Sequence, residues 1–330
     1  MKAGLPLEEI VDDQALGGYG ATIEFDVTRL QESSLSKLRQ AEILITEPAV
    51  LAQLLASSPS LAQKEILLPN LKWCQSTYAG VDPMFKTEGL TLPLPFTLTR
   101  FAGVFGPPIA EWCIAQIISN ERKFDLMRQD QARQEWVGST ELLEYRYLSD
   151  LTLSVLGCGD IGLCIARAAK AFGMKVVGYS TRPKPDQPAL DESVTDLTTA
   201  LQAGDYVVSV LPSTEGTRNL LTLEHFQVAN AAHGGKSPVF VNVGRGDVTD
   251  STTLLAALDA NHISRAILDV FEEEPLPKSN PLWKHEKVTI SPHVSGLTRA
   301  QDVPNLVIDQ YERYTTGRPL QYVVDWSKSY

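Results

Sequence analysis

Residues 151–182 contain the pattern that most constrains how this chain can fold. The segment begins with the apolar run LTLSVL and continues through the turn GCGDIG and the alanine-rich run LCIARAAKAFG to a second apolar run, MKVVGY. Apolar runs of this length, rich in leucine and valine, are typical of buried parallel strands. The alanine-rich run has no proline and ends at Gly173, as helices often do. The pattern therefore predicts a strand–helix–strand unit.

Three glycines stand at the predicted strand-to-helix turn of this unit. Gly157 permits the tight turn, Gly159 lets the backbone approach a pyrophosphate, and Gly162 lets the helix pack close to the strand. The helix N-terminus adds unpaired N–H groups and a partial positive charge. Such glycines also occur in purely structural turns, but the order of strand, turn, helix and strand favours a dinucleotide site.

The bulk properties limit the classes of protein that remain. The 330 residues, 43% of them hydrophobic, suffice for two domains with real cores. A net charge of −11 argues against nucleic acid or an anionic membrane as the main partner. No apolar run approaches the roughly 20 residues of a transmembrane helix, and the N-terminus lacks a secretory signal. The four cysteines lack metal-ligand spacing, so we expect a reduced, cytoplasmic protein without a metal.

The rest of the chain alternates predicted strands and helices, which is an α/β pattern. Strands are predicted at residues 21–27, 43–46, 73–76, 96–99, 206–211, 239–243, 266–268 and 288–290. Helices are predicted at residues 5–16, 35–39, 50–56, 107–127, 251–260 and 298–318. Residues 128–150 are charged and aromatic and show no clear periodicity.

Several motifs, taken in order, resemble one family. They are YAGVD at 78–82, GCGDIG at 157–162, LPST at 211–214, VGRG at 243–246, LDVFEEEP at 268–275 and SPH at 291–293. Together they resemble the NAD(P)-dependent D-2-hydroxyacid dehydrogenases over nearly the whole chain. The resemblance implies an α/β fold in which a Rossmann cofactor domain, a doubly wound parallel sheet, is inserted into a smaller flavodoxin-like substrate domain. It implies a substrate domain at 1–100 and 297–330, a cofactor domain at 101–296, and a homodimer with 107–127 and 128–150 at the interface.

The resemblance also implies three catalytic residues. Arg245 matches the arginine that binds a 2-keto acid and polarises its keto oxygen, His293 matches the acid/base, and Glu274 matches the glutamate that stabilises the protonated histidine. Arg245 could instead be a surface arginine in a turn, or part of an Arg-Gly-Asp adhesion motif, although an intracellular α/β enzyme does not favour an adhesion role. Glu272 and Glu273 are interpreted as solvated. So are the other histidines, His225, His233, His262 and His285.

The same resemblance implies the ligand-binding residues. The cofactor set is Gly157, Cys158, Gly159, Asp160, Ile161, Gly162, Ser180, Thr181, Arg182, Leu211, Pro212, Thr217, Val243 and Asp269. Asp269 matches the residue that contacts the nicotinamide carboxamide, with the capping of a loop as its alternative role. The substrate set is Tyr78, Ala79, Gly80 and Val81, with Arg245. Backbone N–H groups of residues 79–81 would hold the substrate carboxylate, and Trp136 is a further candidate for the side-chain pocket.

Two departures from the family pattern carry predictions. The second strand of the glycine-rich unit ends in YSTR at 179–182, without the acidic residue that binds an NAD ribose. This end resembles the NADP-using glyoxylate/hydroxypyruvate reductases, so we expect NADP(H) to be preferred, with NAD(H) still usable. No apolar run precedes the predicted helix at 5–16, so we also expect the family's first strand to be missing.

The leading interpretation is a hydride transfer between the nicotinamide and a 2-keto acid or D-2-hydroxy acid, with glyoxylate and hydroxypyruvate as candidates. One alternative is an interaction protein like the C-terminal-binding-protein corepressors, which share the fold and the site residues. The chain has no long disordered tail, which argues against it. Phosphoglycerate, formate and phosphite dehydrogenases are enzyme alternatives on the same framework.

Overall fold

A computed structural model describes residues 32–56, 68–136, 140–232, 237–299 and 301–327. The chain divides into two compact units, one formed by Met1–Val104 with Thr298–Tyr330 and the other by Phe105–Leu297. The predicted helix at 5–16, the strand at 21–27 and the expected loss of the family's first strand all lie outside the described residues.

The helices and strands of the described residues follow in chain order. The helices are α1 (Glu32–Gln40), α2 (Pro48–Ala56), α3 (Asp82–Lys86), α4 (Gly106–Glu121), α5 (Phe124–Arg133), α6 (Asp160–Ala171), α7 (Leu197–Ala203), α8 (Leu223–Ala232), α9 (Ser251–Asp259) and α10 (Asp302–Thr315). The strands are β1 (Ile43–Thr46), β2 (Trp73–Ser76), β3 (Thr97–Thr99), β4 (Thr152–Leu156), β5 (Lys175–Tyr179), β6 (Glu192–Val194), β7 (Tyr206–Ser209), β8 (Val239–Asn242), β9 (Arg265–Leu268) and β10 (Val288–Ile290).

The first unit contains a small parallel sheet in the order β1-β2-β3. All four residues of β2 are buried, as expected for the middle strand of such a sheet. The core around it includes Leu51, Leu98 and Met84, each at most 1% exposed. The strands predicted at 43–46 and 73–76 are confirmed to the residue.

The second unit contains a seven-stranded, entirely parallel sheet in the order β10-β9-β8-β7-β4-β5-β6. In chain order, β4, β5 and β6 extend the sheet in one direction. The next four strands, β7 to β10, extend it in the opposite direction, which is the doubly wound order. The confirmed α/β fold therefore has its switch point between β4 and β7. In such sheets ligands bind outside the carboxyl ends of the strands at that point.

One predicted helix is wrong in its extent. Residues 107–127 do not form a single helix, because α4 ends at Glu121 and α5 begins at Phe124. Lys123 between them has a left-handed φ of 55°. Glu121 is drawn inward by Arg146 and by the hydroxyl of Tyr206, at 2.7 Å each. The last residue of α4 therefore has side-chain partners that are distant in sequence. The interpretation of 128–150 as aperiodic missed α5.

Candidate active site

The glycine-rich turn has the shape that a dinucleotide requires. Gly157 adopts a φ of +107°, which other residues rarely do. A Cβ at Gly162 would lie 2.0 Å from the carbonyl oxygen of Gly157, so only glycine fits between turn and helix. Among the described residues, a Cβ at Gly159 would meet nothing within 4 Å, and no side chain caps the N-terminus of α6. The open space and uncapped N–H groups fit the phosphates of a dinucleotide.

The other predicted cofactor-binding residues of this region lie in the turn, in the first turn of α6 and just after β5. Cys158 is a buried residue of the turn, and burial raises the pKa of its thiol to about 11, although the charge of Lys184 partly opposes this shift. Asp160 and Ile161 form the first turn of α6. At the end of β5, the hydroxyl of Ser180 donates to the carbonyl oxygen of Arg182 at 2.7 Å. Thr181 and Arg182 are exposed.

The loop after β7 lies beside the turn. A Cβ at Gly157 would contact the side chain of Leu211 at 3.5 Å. Within this loop, Thr217 donates its hydroxyl to the carbonyl oxygen of Pro212 at 2.5 Å and accepts the N–H of Thr214 at 2.8 Å. Thr217 thus closes the loop, and its contact with a cofactor stays a prediction. Val243, at the end of β8, is buried.

Arg245 follows β8 at the carboxyl end of the sheet, with its guanidinium donating to the carbonyl oxygen of Gly244 at 2.9 Å. A Cβ at Gly246 would lie 1.9 Å from the carbonyl carbon of Phe271, so this loop is pressed against the segment after β9. Asp247 accepts the hydroxyl of Ser213 at 2.5 Å. The Arg-Gly-Asp sequence is therefore part of an internal contact between loops.

His293 and Glu274 form a direct pair. The Nδ1 atom of His293 lies 2.7 Å from Oε2 of Glu274, and Oε1 of Glu274 accepts the N–H of Phe271 at 2.8 Å. The His293 side chain is 48% exposed, so its ring remains accessible to a ligand. Burial raises the pKa of Glu274, but hydrogen bonding to His293, the charge of that residue and the N–H of Phe271 outweigh it, and the net pKa is lowered.

Asp269 builds the loop that carries His293. Its carboxylate accepts the hydroxyl of Ser291 and the N–H groups of Val294 and Ser295, the latter two at 2.9 Å. Its backbone carbonyl accepts the N–H of His293 at 2.8 Å. The side chain is fully buried. These contacts fit the alternative role of Asp269, the capping of a loop. A contact between Asp269 and the nicotinamide stays a prediction.

The sequence reasoning missed the partners of Asp269. Ser291, Val294 and Ser295 lie on both sides of His293, which itself has a left-handed φ of 55°. A non-glycine residue in this conformation requires support from its surroundings. The one sequence signal was the position of Ser291 in the SPH motif.

Two of the other histidines are not solvated as predicted. His285 has a side chain only 16% exposed, with Nε2 lying 3.6 Å from Asp259. The Nδ1 atom of His262 is buried. His225 accepts the N–H of Thr222 at 3.3 Å. His233 lies outside the described residues, whereas Glu272 and Glu273 are exposed as expected.

The predicted carboxylate-binding loop lies in the first unit, immediately after β2. Among residues 32–56, 68–136 and the other described segments, no acceptor takes the N–H groups of Ala79, Gly80 or Val81. Val81 is buried, Tyr78 is 40% exposed, and Trp136, in the second unit, is 97% exposed. The described part of the chain contains no helix that could span a membrane and no cluster of metal ligands.

Comparisons with known proteins identify the framework. A sequence model described as the NAD binding domain of D-isomer specific 2-hydroxyacid dehydrogenases matches residues 114–295. Glyoxylate/hydroxypyruvate reductase A of Yersinia enterocolitica is 27% identical over 308 residues, which cover 92% of this chain and 94% of that protein.

Solved structures agree with this match. A D-isomer specific 2-hydroxyacid dehydrogenase family protein from Aeromonas salmonicida superposes with a TM-score of 0.73 and 33% identity, covering 89% of this chain and 88% of that one. An NADPH-dependent glyoxylate/hydroxypyruvate reductase from Sinorhizobium meliloti, in complex with NADP and sulfate, gives a TM-score of 0.73 at 26% identity, covering 88% and 100%. This chain therefore belongs to the D-isomer specific 2-hydroxyacid dehydrogenase family and is an NAD(P)-dependent oxidoreductase.

Proposed function

We propose that this protein reduces small 2-keto acids to D-2-hydroxy acids with NADPH. The observation that carries the proposal is the His293–Glu274 pair, 2.7 Å apart. His293 follows β10, Arg245 follows β8 and the glycine turn follows β4. Because these strands are parallel in one sheet, all three groups belong to its carboxyl edge.

The nicotinamide and three residues, His293, Glu274 and Arg245, each supply one part of the proposed reaction. When bound, the nicotinamide supplies the hydride that reduces the keto carbon. Protonated His293 donates a proton to the keto oxygen from Nε2, since Nδ1 is engaged by Glu274. Glu274 stabilises the imidazolium, and the guanidinium of Arg245 binds the substrate and stabilises charge on its oxygen.

The substrate carboxylate is assigned to the loop after β2, and the cofactor phosphates are assigned to the glycine-rich turn after β4. The N–H groups of Ala79, Gly80 and Val81, which have no acceptor in the described part of the chain, support a role in binding the substrate carboxylate. In the second unit, the uncapped N-terminus of α6 and the space at Gly159 support phosphate binding.

The preference for NADPH is supported by the residues after β5. Ser180, Thr181 and Arg182 place neutral and positive groups where an acidic residue would repel a 2′-phosphate. The Sinorhizobium meliloti relative was solved with NADP, and the Yersinia enterocolitica relative is named for glyoxylate and hydroxypyruvate. We therefore propose the same two keto acids as first candidates.

The test is NADPH oxidation with a panel of 2-keto acids, repeated with NADH. We expect kcat/KM to favour NADPH by about tenfold or more, the value of one charge-assisted hydrogen bond. Arg182→Ala should narrow this ratio through the KM for NADPH, whereas Arg167→Ala, an exposed arginine of α6, should not. Equal use of both cofactors would refute the preference. The absence of turnover with every keto acid of the panel would refute the proposed reductase activity.

We also infer a homodimer through the second unit. Large hydrophobic side chains are exposed in residues 124–136 and 140–147, namely Phe124, Met127, Trp136, Leu143, Tyr145 and Tyr147. Burying such side chains against a second copy would remove apolar surface from water, which favours association. In analytical ultracentrifugation, Trp136→Ala should dissociate more readily than the wild type. Trp283→Ala, which removes another exposed tryptophan, should not. A monomeric wild type would contradict the inference.

The cytoplasmic location stays a prediction, supported by four free cysteines, three of them buried.

A further inference from the structure

Ser76 ends β2 and directly precedes the loop that contains residues 79–81. Its hydroxyl accepts the N–H of Tyr78 at 3.0 Å and donates to the carbonyl oxygen of the same residue at 2.7 Å. Ser76 is only 1% exposed, so water does not compete for these bonds. One buried hydroxyl therefore holds both backbone polar groups of Tyr78 at the point where the loop leaves the sheet.

A buried chain of hydrogen bonds holds Ser76 itself. The indole N–H of Trp73 donates to the hydroxyl of Thr99 at 2.8 Å, and Thr99 donates to the side-chain oxygen of Gln75 at 2.7 Å. The side-chain amide of Gln75 then donates to the carbonyl oxygen of Ser76 at 2.7 Å. These side chains are fully buried. A satisfied polar network in a core is rigid, because breaking any member leaves an unpaired buried group.

The residues next to Ser76 are anchored as well. The N–H of Thr77 donates to the carbonyl oxygen of Thr46 at 3.1 Å, and the N–H of Phe101 donates to the carbonyl oxygen of Tyr78 at 3.0 Å. Tyr78 immediately precedes the three N–H groups that have no acceptor among the described residues. The chain is thus held on the sheet side of these three donors.

We propose that Ser76 is a positioning residue for the carboxylate of the 2-keto acid. By fixing Tyr78, it holds the N–H groups of residues 79–81 in one arrangement before the substrate arrives. Preorganised donors bind more tightly because less conformational entropy is lost on binding. The inference rests on the proposed function and adds a residue that touches neither substrate nor cofactor.

The test compares Ser76→Ala with Ser76→Thr, which keeps a hydroxyl, and with Ser154→Ala. Ser154 is a matched control, because it is fully buried and donates one hydrogen bond to the carbonyl oxygen of Ala200 at 2.6 Å in the second unit. We expect Ser76→Ala to raise the KM for the keto acid about tenfold, the effect of one to two hydrogen bonds. Its kcat and its Kd for NADPH should stay within about twofold of the wild type, since the loop binds substrate and transition state alike. Ser76→Thr should recover most of the KM, and Ser154→Ala should leave it unchanged.

Hydrogen exchange separates this inference from the proposed function. In Ser76→Ala, the amides of Thr77, Tyr78 and Phe101 should exchange faster than in the wild type and in Ser154→Ala. A wild type without keto acid reductase activity would refute the proposed function, and exchange would still decide whether Ser76 orders the loop. Should Ser76→Ala fail to fold, Ser76→Cys keeps the volume and weakens both bonds. An unchanged KM together with unchanged exchange in the folded variant would overturn the inference.

Discussion

Glu274 accepts a hydrogen bond from Nδ1 of His293 at 2.7 Å. Its other carboxylate oxygen accepts the N–H of Phe271 at 2.8 Å, so the carboxylate is oriented from both sides. Although burial raises the pKa of Glu274, the contacts with His293 and Phe271 and the charge of Arg245 lower it overall. The carboxylate is therefore charged at neutral pH, and Nε2 of His293 is the ring nitrogen that can serve a substrate.

Replacing His293 should remove most of the turnover. His293→Ala deletes the proposed proton donor, so we expect kcat to fall by roughly 10²–10⁴ with the best 2-keto acid. NADPH binding should persist, because the phosphate turn is untouched. His225→Ala is the control, since His225 contacts Thr222 at the start of α8. Near-normal turnover in His293→Ala would rule out this assignment and favour an interaction protein of the same fold.

Glu274→Gln should change the pH profile of reduction. A neutral amide no longer stabilises the imidazolium, so the loss of activity on the alkaline side should begin at lower pH than in the wild type. Because the folded-state pKa of Glu274 is lowered, its contribution to stability is present at neutral pH and is lost as the pH falls through that value. The measurement is kcat/KM against pH, with Glu273→Gln as the exposed neighbour. Superimposable profiles for wild type and Glu274→Gln would count against the pair.

Asp269→Asn should disorder the His293 loop. The amide can accept only part of the hydrogen bonds that Ser291, Val294 and Ser295 donate, and its own N–H groups would face donors. We expect a loss of about 1–3 kcal/mol in unfolding free energy and faster amide exchange in residues 293–295. Asp250→Asn is the control, because asparagine caps a helix as well as the aspartate that caps α9. A variant as stable as the control would show that the carboxylate is dispensable.

Two glycine substitutions should separate folding from cofactor binding. Gly159→Ala places a methyl group in open space at an ordinary φ of −86°, so the protein should fold normally. The methyl group should nevertheless weaken NADPH binding at least tenfold, because the pyrophosphate must approach the backbone there. Gly162→Ala should fail to fold or melt far lower, since its Cβ would lie 2.0 Å from a carbonyl oxygen. Thermal melting and NADPH titration measure the two effects, and normal NADPH affinity in Gly159→Ala would contradict the site.

Glu121→Gln should cost stability without touching the site. The glutamate is almost fully buried and is bound by Arg146 and by the hydroxyl of Tyr206. Burial raises its pKa, but these hydrogen bonds outweigh burial and lower it. We expect a loss of about 3 kcal/mol at pH 7, which shrinks as the wild-type carboxylate protonates in acid. Glu42→Gln, in the exposed pair with Lys72, should change stability by less than about 1 kcal/mol. Equal stabilities of both variants in denaturant titrations would refute the prediction.

Local sequence determined the strand–turn–helix–strand unit at 151–182. The spacing of Gly157, Gly159 and Gly162 and the apolar periodicity around them act within a few residues, so the unit is visible without its surroundings. The motif at 291–293 likewise placed His293 at the end of a strand. The family resemblance linked Glu274 to His293, and the structure brings the two within hydrogen-bond distance.

Tertiary structure decided what depends on partners distant in sequence. The helix predicted at 107–127 ends at Glu121, whose side chain binds Arg146 and Tyr206, and intrinsic helix propensity does not depend on such distant contacts. Asp269 orders the loop of His293 because parallel strands bring their carboxyl ends to one edge of the sheet. Ser76 fixes its loop through a network that reaches β3. Helix propensity and motif spacing are local properties of the chain, whereas the hydrogen-bond partner of a buried polar group is settled only when the sheet assembles.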